Sequence, residues 1–164
     1  MKNRYTRTIA RCEPRLDTSP HGLATLHLFG QVPLLRQQKE RKMTKKEFET
    51  AIFKSIKAGQ VFPNPLRGTS TIVEIDSNRV RYKRGKSIIS LSIGDMYKAY
   101  SKFAGKDTSS SDIRAFNPAL YDSKQGGHSC HCSFLFLVFI AMGLVAGIQG
   151  GGARGNPFWV HIMP

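Results

Sequence analysis

The apolar positions of this chain fall into three kinds of pattern, and each predicts a different element. The first is helical and starts at Met43. Phe48, Ala51, Ile52, Ser55 and Ile56 recur on one face, with Lys45, Lys46, Glu49, Lys54 and Lys57 on the other. Thr44-Lys45-Lys46-Glu47 stands in front of them as a capping box. In that motif the Thr hydroxyl accepts from the amide three residues on, and the Glu carboxylate reaches back. Gly59 suits the left-handed closing position. The spacing predicts an amphipathic helix over 44–58.

The second pattern alternates. Gln60 to Gly68 reads as a connector punctuated by Pro63 and Pro65. Ser70–Ile75 then places Val73 and Ile75 on one side, and Asp76-Ser77-Asn78 suits a hairpin turn. Arg79–Lys83 alternates strictly: Val80 and Tyr82 point one way, Arg79, Arg81 and Lys83 the other. Arg84-Gly85 makes the next turn, and Lys86–Ile93 sets Ile89, Leu91 and Ile93 opposite Ser90 and Ser92. These runs predict a three-stranded antiparallel meander with one dry and one polar face. Ser92 and Asp95 then open a helix carrying Met96, Tyr97, Tyr100 and Phe103 on one side, ended by Gly105. Ile113–Phe116 reads as one short helical turn stopped at Asn117-Pro118, and Ala119–His128 as loop.

The third pattern is uniform. Cys132–Ile148 is seventeen residues with no charge and one hydroxyl, Ser133. A helix apolar on every side must be wrapped by protein or by lipid. Its length lies between a buried core helix of about 10–14 residues and a membrane span of about 20. Gly143 and Gly147 stand in the G-x-x-x-G register of packed spans, and Trp159 suits a bilayer interface. Against a span stand the length, the glycine run 150–152 and the apolar faces upstream that need covering. Burying about six such side chains contributes on the order of 10 kcal/mol before entropy. The balance favours a core helix, with a tail-anchored membrane protein spanning at Cys132–Ile148 as the alternative. Gln149–Asn156 reads as a mobile turn and Pro157–Met163 as an edge strand that extends the sheet.

The predicted class is therefore α+β: a single small domain over 43–164. In it a three-stranded antiparallel meander packs with amphipathic helices around one central apolar helix. Residues 1–42 follow neither period. They hold nine Lys and Arg against Glu13, Asp17 and Glu40, and are interrupted by Pro14, Pro20 and Pro33. They read as a poorly ordered basic extension, or as a gene-model extension with the true start at Met43.

Charge changes this picture. Twenty-five Lys and Arg against eleven Asp and Glu give a formal +14, which favours an anionic partner, nucleic acid first and an acidic membrane surface second. Three cysteines, two of them (Cys130 and Cys132) separated by one residue, make a poor disulfide framework and suggest a reducing, cytoplasmic setting.

The basic meander carries the leading chemistry. Arg79, Arg81 and Lys83 project from one face, and Arg84 and Lys86 crowd the adjoining turn. Such a face can lie along a phosphate backbone or in a major groove. The expected function is non-catalytic nucleic-acid binding through these five residues. A module for an acidic protein partner is a further alternative. His128-Ser129-Cys130-His131-Cys132 holds four potential N/S ligands, but a tetrahedral zinc site draws on two separated pairs, and no second pair exists. The cysteines read instead as small buried hydrophobes at the helix start, and no metal or cofactor is expected. Glu74, Asp76 and Asp95 lack the lysine companion of a metal-dependent nuclease, so no catalytic residue is assigned. Arg154-Gly155-Asn156 lacks the Lys-Ser/Thr ending of a phosphate loop.

Overall fold

The chain is a mixed α+β protein with a four-stranded antiparallel sheet and several helices. The computed structural model describes residues 41–126 and 131–164. The extension expected over 1–42 lies outside the described residues, apart from Arg41 and Lys42, and so do His128 and Cys130.

Helix α1 (Lys45–Ser55) begins at the capping box: Thr44 Oγ1 accepts from the Glu47 amide at 3.3 Å, and Glu47 Oε2 accepts from the Thr44 amide at 2.7 Å. Phe48, Ile52 and Ile56 are buried. The helix stops earlier than its pattern suggests because Ile56 turns extended.

Four strands follow: β1 (Val61–Pro63), β2 (Thr69–Ile75), β3 (Arg79–Arg84) and β4 (Ser87–Ser92), paired in that order, each antiparallel to the next. The three-stranded expectation is thus corrected to four. Val61–Pro63, which reads as connector, pairs with β2 at the sheet edge, where a proline without an N–H is tolerated. A second correction concerns β2. A bulge between Ile72 and Glu74 absorbs Val73, so Ile72 is buried, Ile75 is half-buried, and Val73 is exposed. The extra residue breaks the two-residue period, and the expected core position Val73 faces outward. The same bulge sets Glu74 opposite Arg81. In β3 and β4, Val80, Tyr82, Ile89 and Leu91 are buried, as the alternation predicts.

Helix α2 (Ile93–Phe103) is capped by Ser92, whose Oγ accepts from the Asp95 amide at 3.3 Å. A short strand unseen in the pattern, β5 (Lys106–Ser109), pairs with the tail strand β6 (Trp159–Ile162). The tail therefore builds a separate two-stranded sheet and does not extend the larger one. Helix α3 (Ser110–Phe116) and two single turns, α4 (Pro118–Tyr121) and α5 (Ser123–Gly126), occupy much of what reads as loop. The segment expected to be a mobile turn is a hydrogen-bonded hairpin: Gln149 and Trp159 exchange two backbone bonds of 2.9 Å, and Ala153 and Asn156 two of 3.1 Å.

The apolar run is shorter as a helix than as a pattern. Helix α6 (Cys132–Ala141) has ten residues and ends in a Schellman motif at Gly143, φ +73°. The Gly143 amide donates to Ile140 and the Leu144 amide to Phe139, both at 2.9 Å. Its length is about 15 Å, against a hydrocarbon thickness of about 30 Å. Among the described residues, no helix is long and apolar enough to cross a membrane. The buried rings of α6 meet four other elements. Phe134 stacks on Tyr82 of β3, with centroids 3.5 Å apart, and meets Phe62 of β1 edge-on. Phe139 meets Phe48 of α1 and Tyr100 of α2, both edge-on.

Candidate nucleic-acid interface

The alternation of β3 puts Arg79, Arg81 and Lys83 on the solvent side of the sheet. Two of these three charges already have partners. Arg79 Nε lies 3.2 Å from Asp76 Oδ2, and an Arg81 guanidinium nitrogen lies 2.8 Å from Glu74 Oε2. Both pairs are about half exposed, so each adds little stability, yet each offsets a positive charge that a phosphate would otherwise meet. Asp76 is well fixed as an anion. The Asn78 amide, then the amide and guanidinium of Arg79, hold its carboxyl below the ordinary value against a desolvation cost. The middle of the basic face is thus a set of paired ions.

The charge is less compensated toward the β3–β4 turn. Lys83 and Lys86 are exposed and have no ion pair among the described residues. Gly85 takes φ +59°, the positive value a two-residue hairpin needs at its first central position. Arg84 lies on the opposite face of β3 from Lys83. Its Nε donates to Ser70 Oγ at 3.0 Å, and a terminal nitrogen donates to Asn64 Oδ1 at 3.1 Å and Ser133 Oγ at 3.2 Å. Its guanidinium also sits 5.7 Å from the centre of the Tyr82 ring. These acceptors are neutral and fix the side chain in place. The network ties the 64–68 loop and the start of α6 to the sheet.

That loop brings in a cation that the strand pattern does not mark. Arg67 joins Lys83 and Arg84 around a hollow of about 640 Å³, with Asn64, Thr69 and Thr71 also on its wall. Among the described residues, no Asp or Glu lines it. A smaller hollow shares Asn64, Arg67 and Arg84 with the first and reaches Ser133 and Phe158. Beyond it, Ser133 and Phe158 also line a third hollow, which holds Arg114, Lys124 and Arg154. Sequence reasoning missed Arg67, Arg114 and Lys124 and weighed Arg154 only as part of a phosphate loop that it rejected, because tertiary structure, not local pattern, gathers them. The face bearing Arg79 and Arg81 has its own hollow, and Glu74 and Asp76 line it.

Two of the residues weighed as metal ligands have internal roles. The Tyr82 hydroxyl and His131 Nδ1 are 2.9 Å apart in the core, and Cys132 Sγ lies 3.6 Å from the Ser110 carbonyl oxygen. Their companions His128 and Cys130 are outside the described residues. Among the described residues, no group of three or more His, Cys, Asp or Glu is placed to hold a metal ion. The third carboxylate considered for catalysis, Asp95, accepts from Lys98 at 2.9 Å. No protein-family model, curated protein or solved structure matches the chain.

Proposed function

We propose that this protein binds nucleic acid without acting on it chemically, gripping the phosphate backbone at the end of the sheet near the β3–β4 turn. The observation that carries the reading is the hollow lined by Arg67, Lys83 and Arg84, with no Asp or Glu on its wall among the described residues and Lys86 exposed beside it. Cations gathered without carboxylates lower the free energy of a polyanion by phosphate contact and counterion release. Arg79 and Arg81 extend the same surface with smaller weight, since Asp76 and Glu74 compete for them. In this reading α6 is the axis of the scaffold, since rings from α1, α2, β1 and β3 converge on it.

The test is the affinity of the full chain for a duplex, measured by fluorescence anisotropy at fixed moderate salt. Alanine at Arg67, Lys83 and Lys86 together is expected to weaken binding more than alanine at Arg79 and Arg81 together. Equal affinity of the triple variant and the parent overturns the proposal.

A further inference from the structure

The hollow holding Arg114, Lys124 and Arg154 differs in kind from the strip beside the sheet. It measures about 500 Å³, the size of a small-molecule site. Its three cations come from three separate parts of the chain: α3, α5 and the tip of the 149–159 hairpin. None of them has an ion pair among the described residues. The nearby carboxylates are engaged elsewhere. Asp112 accepts from the hydroxyl and amide of Ser109, and Asp122 accepts from the backbone amide of Lys124 at 3.0 Å. Neither lines the cavity.

The hydroxyls around it are set up as donors. Ser111 Oγ accepts from Arg114 at 3.1 Å, and Ser133 Oγ accepts from Arg84 at 3.2 Å. An oxygen that already accepts from a guanidinium keeps its own proton for another acceptor. Arg114 is itself steadied by its Nε bond to the Ser110 carbonyl at 3.2 Å. The hairpin that presents Arg154 is held close. Gly152 has φ +68°, and a Cβ there would strike the Phe158 ring. Phe158 in turn gives the cavity an apolar aromatic wall.

Hydroxyl donors and cations converging without a carboxylate recognise a group that only accepts and carries more than one negative charge. A phosphate monoester is such a group, with about −1.5 to −2 charge at neutral pH and three acceptor oxygens. The volume exceeds what the phosphate alone needs, and the Phe158 wall suits a base. The geometry points to a site for a phosphomonoester of nucleotide size: the phosphorylated end of a strand, or a free mononucleotide. The strand-end form rests on the proposed nucleic-acid binding, because the cavity shares Ser133 and Phe158 with the hollow that joins it to the Arg67–Arg84 surface.

Fluorescence anisotropy of the full chain with short single strands, alike except for a terminal phosphate at one end, the other end or neither, tests this. Adenosine monophosphate serves as a competitor and, by calorimetry, as a ligand. A phosphorylated strand is expected to bind about tenfold tighter than the hydroxyl-ended one, the scale of one hydrogen bond to a charged group. Arg154→Ala or Lys124→Ala removes that gain and leaves the hydroxyl-ended strand nearly unaffected. Both side chains are exposed, so both variants are expected to fold. Lys57→Ala, at an exposed lysine off the cavity, keeps the gain. Strands that bind well but alike, whatever their ends, overturn the cavity assignment and leave nucleic-acid binding standing. Mononucleotide binding lost in Arg154→Ala, with neither strand nor duplex bound, keeps the cavity and overturns nucleic-acid binding. No binding of any ligand overturns both.

Discussion

Replacing Gly143 by alanine separates two accounts of the apolar segment by the sign of the effect. Gly143 closes α6 at φ +73°, and a Cβ added there would meet nothing within 4 Å. The cost is then conformational alone. A residue with a Cβ pays about 1–2 kcal/mol in the left-handed region, and the stiffer unfolded chain returns about 0.4–1 kcal/mol. The net expectation is a loss of about 0.8 kcal/mol at the midpoints of these ranges, and at most about 1.6 kcal/mol. If the helix ran on to Ile148, Gly143 would be an interior glycine, and alanine would stabilise by about 0.8–1.0 kcal/mol. Gly147 provides the control. It has no positive φ and no neighbour within 4 Å of a built Cβ, so Gly147→Ala is expected to be neutral or mildly stabilising. Urea unfolding of the full chain, followed by circular dichroism, reads both. A slope of about 2 kcal/mol per molar converts the expected loss into a midpoint lower by about 0.4 M, and by at most about 0.8 M. A higher midpoint for Gly143→Ala would refute the Schellman ending and restore the longer helix.

Other consequences can be checked in the same way. Tyr82→Phe keeps the stack on Phe134 but removes the buried bond to His131, and should cost about 1–3 kcal/mol in urea unfolding; an unchanged midpoint would show that this bond contributes nothing. Glu74→Gln frees Arg81 from the carboxylate 2.8 Å away and should raise the salt needed to elute the protein from a polyanion column. Unchanged elution would show that the pair does not mask the strand. Stability should also fall with pH. Glu47 is held below its ordinary value first by the Thr44 amide, Asp76 first by the Asn78 amide, and Asp112 first by the Ser109 hydroxyl. The unfolded chain takes up these protons at higher pH than the folded chain. The contribution is therefore full above the ordinary carboxylate range and is lost as pH falls through the lowered folded values. Urea midpoints that stay level or rise on acidification through that range would contradict this.

Much of the local structure is legible in the residue order because it rests on neighbours. The Thr44–Glu47 box, the Ser92 cap and the alternation of β3 are each set by residues within a few positions of one another. The features that move the candidate site are not of this kind. The bulge at Val73 follows from fitting β2 against β3, and it brings Glu74 opposite Arg81. A glycine every fourth residue fits a packed span as well as a helix stop; only the fold decides that Gly143 ends α6. Arg67, Arg114, Lys124 and Arg154 stand singly in the sequence, and tertiary structure gathers them. Of the five cations marked from sequence, Lys83 and Lys86 stand exposed without an ion pair among the described residues, Arg79 and Arg81 are paired, and Arg84 is bound into a network with Asn64, Ser70 and Ser133.

The central claim is that phosphates are met at the turn end of the sheet, and the salt dependence of duplex binding tests it most directly. Each phosphate contact contributes about −0.9 to the slope of log affinity against log salt. Alanine at Arg67, Lys83 and Lys86 together should make the slope of the full chain shallower by about 2–3, while alanine at Arg79 and Arg81 changes it less. A slope that the triple variant leaves where it was would contradict the account, since the binding charge would then lie elsewhere on the chain.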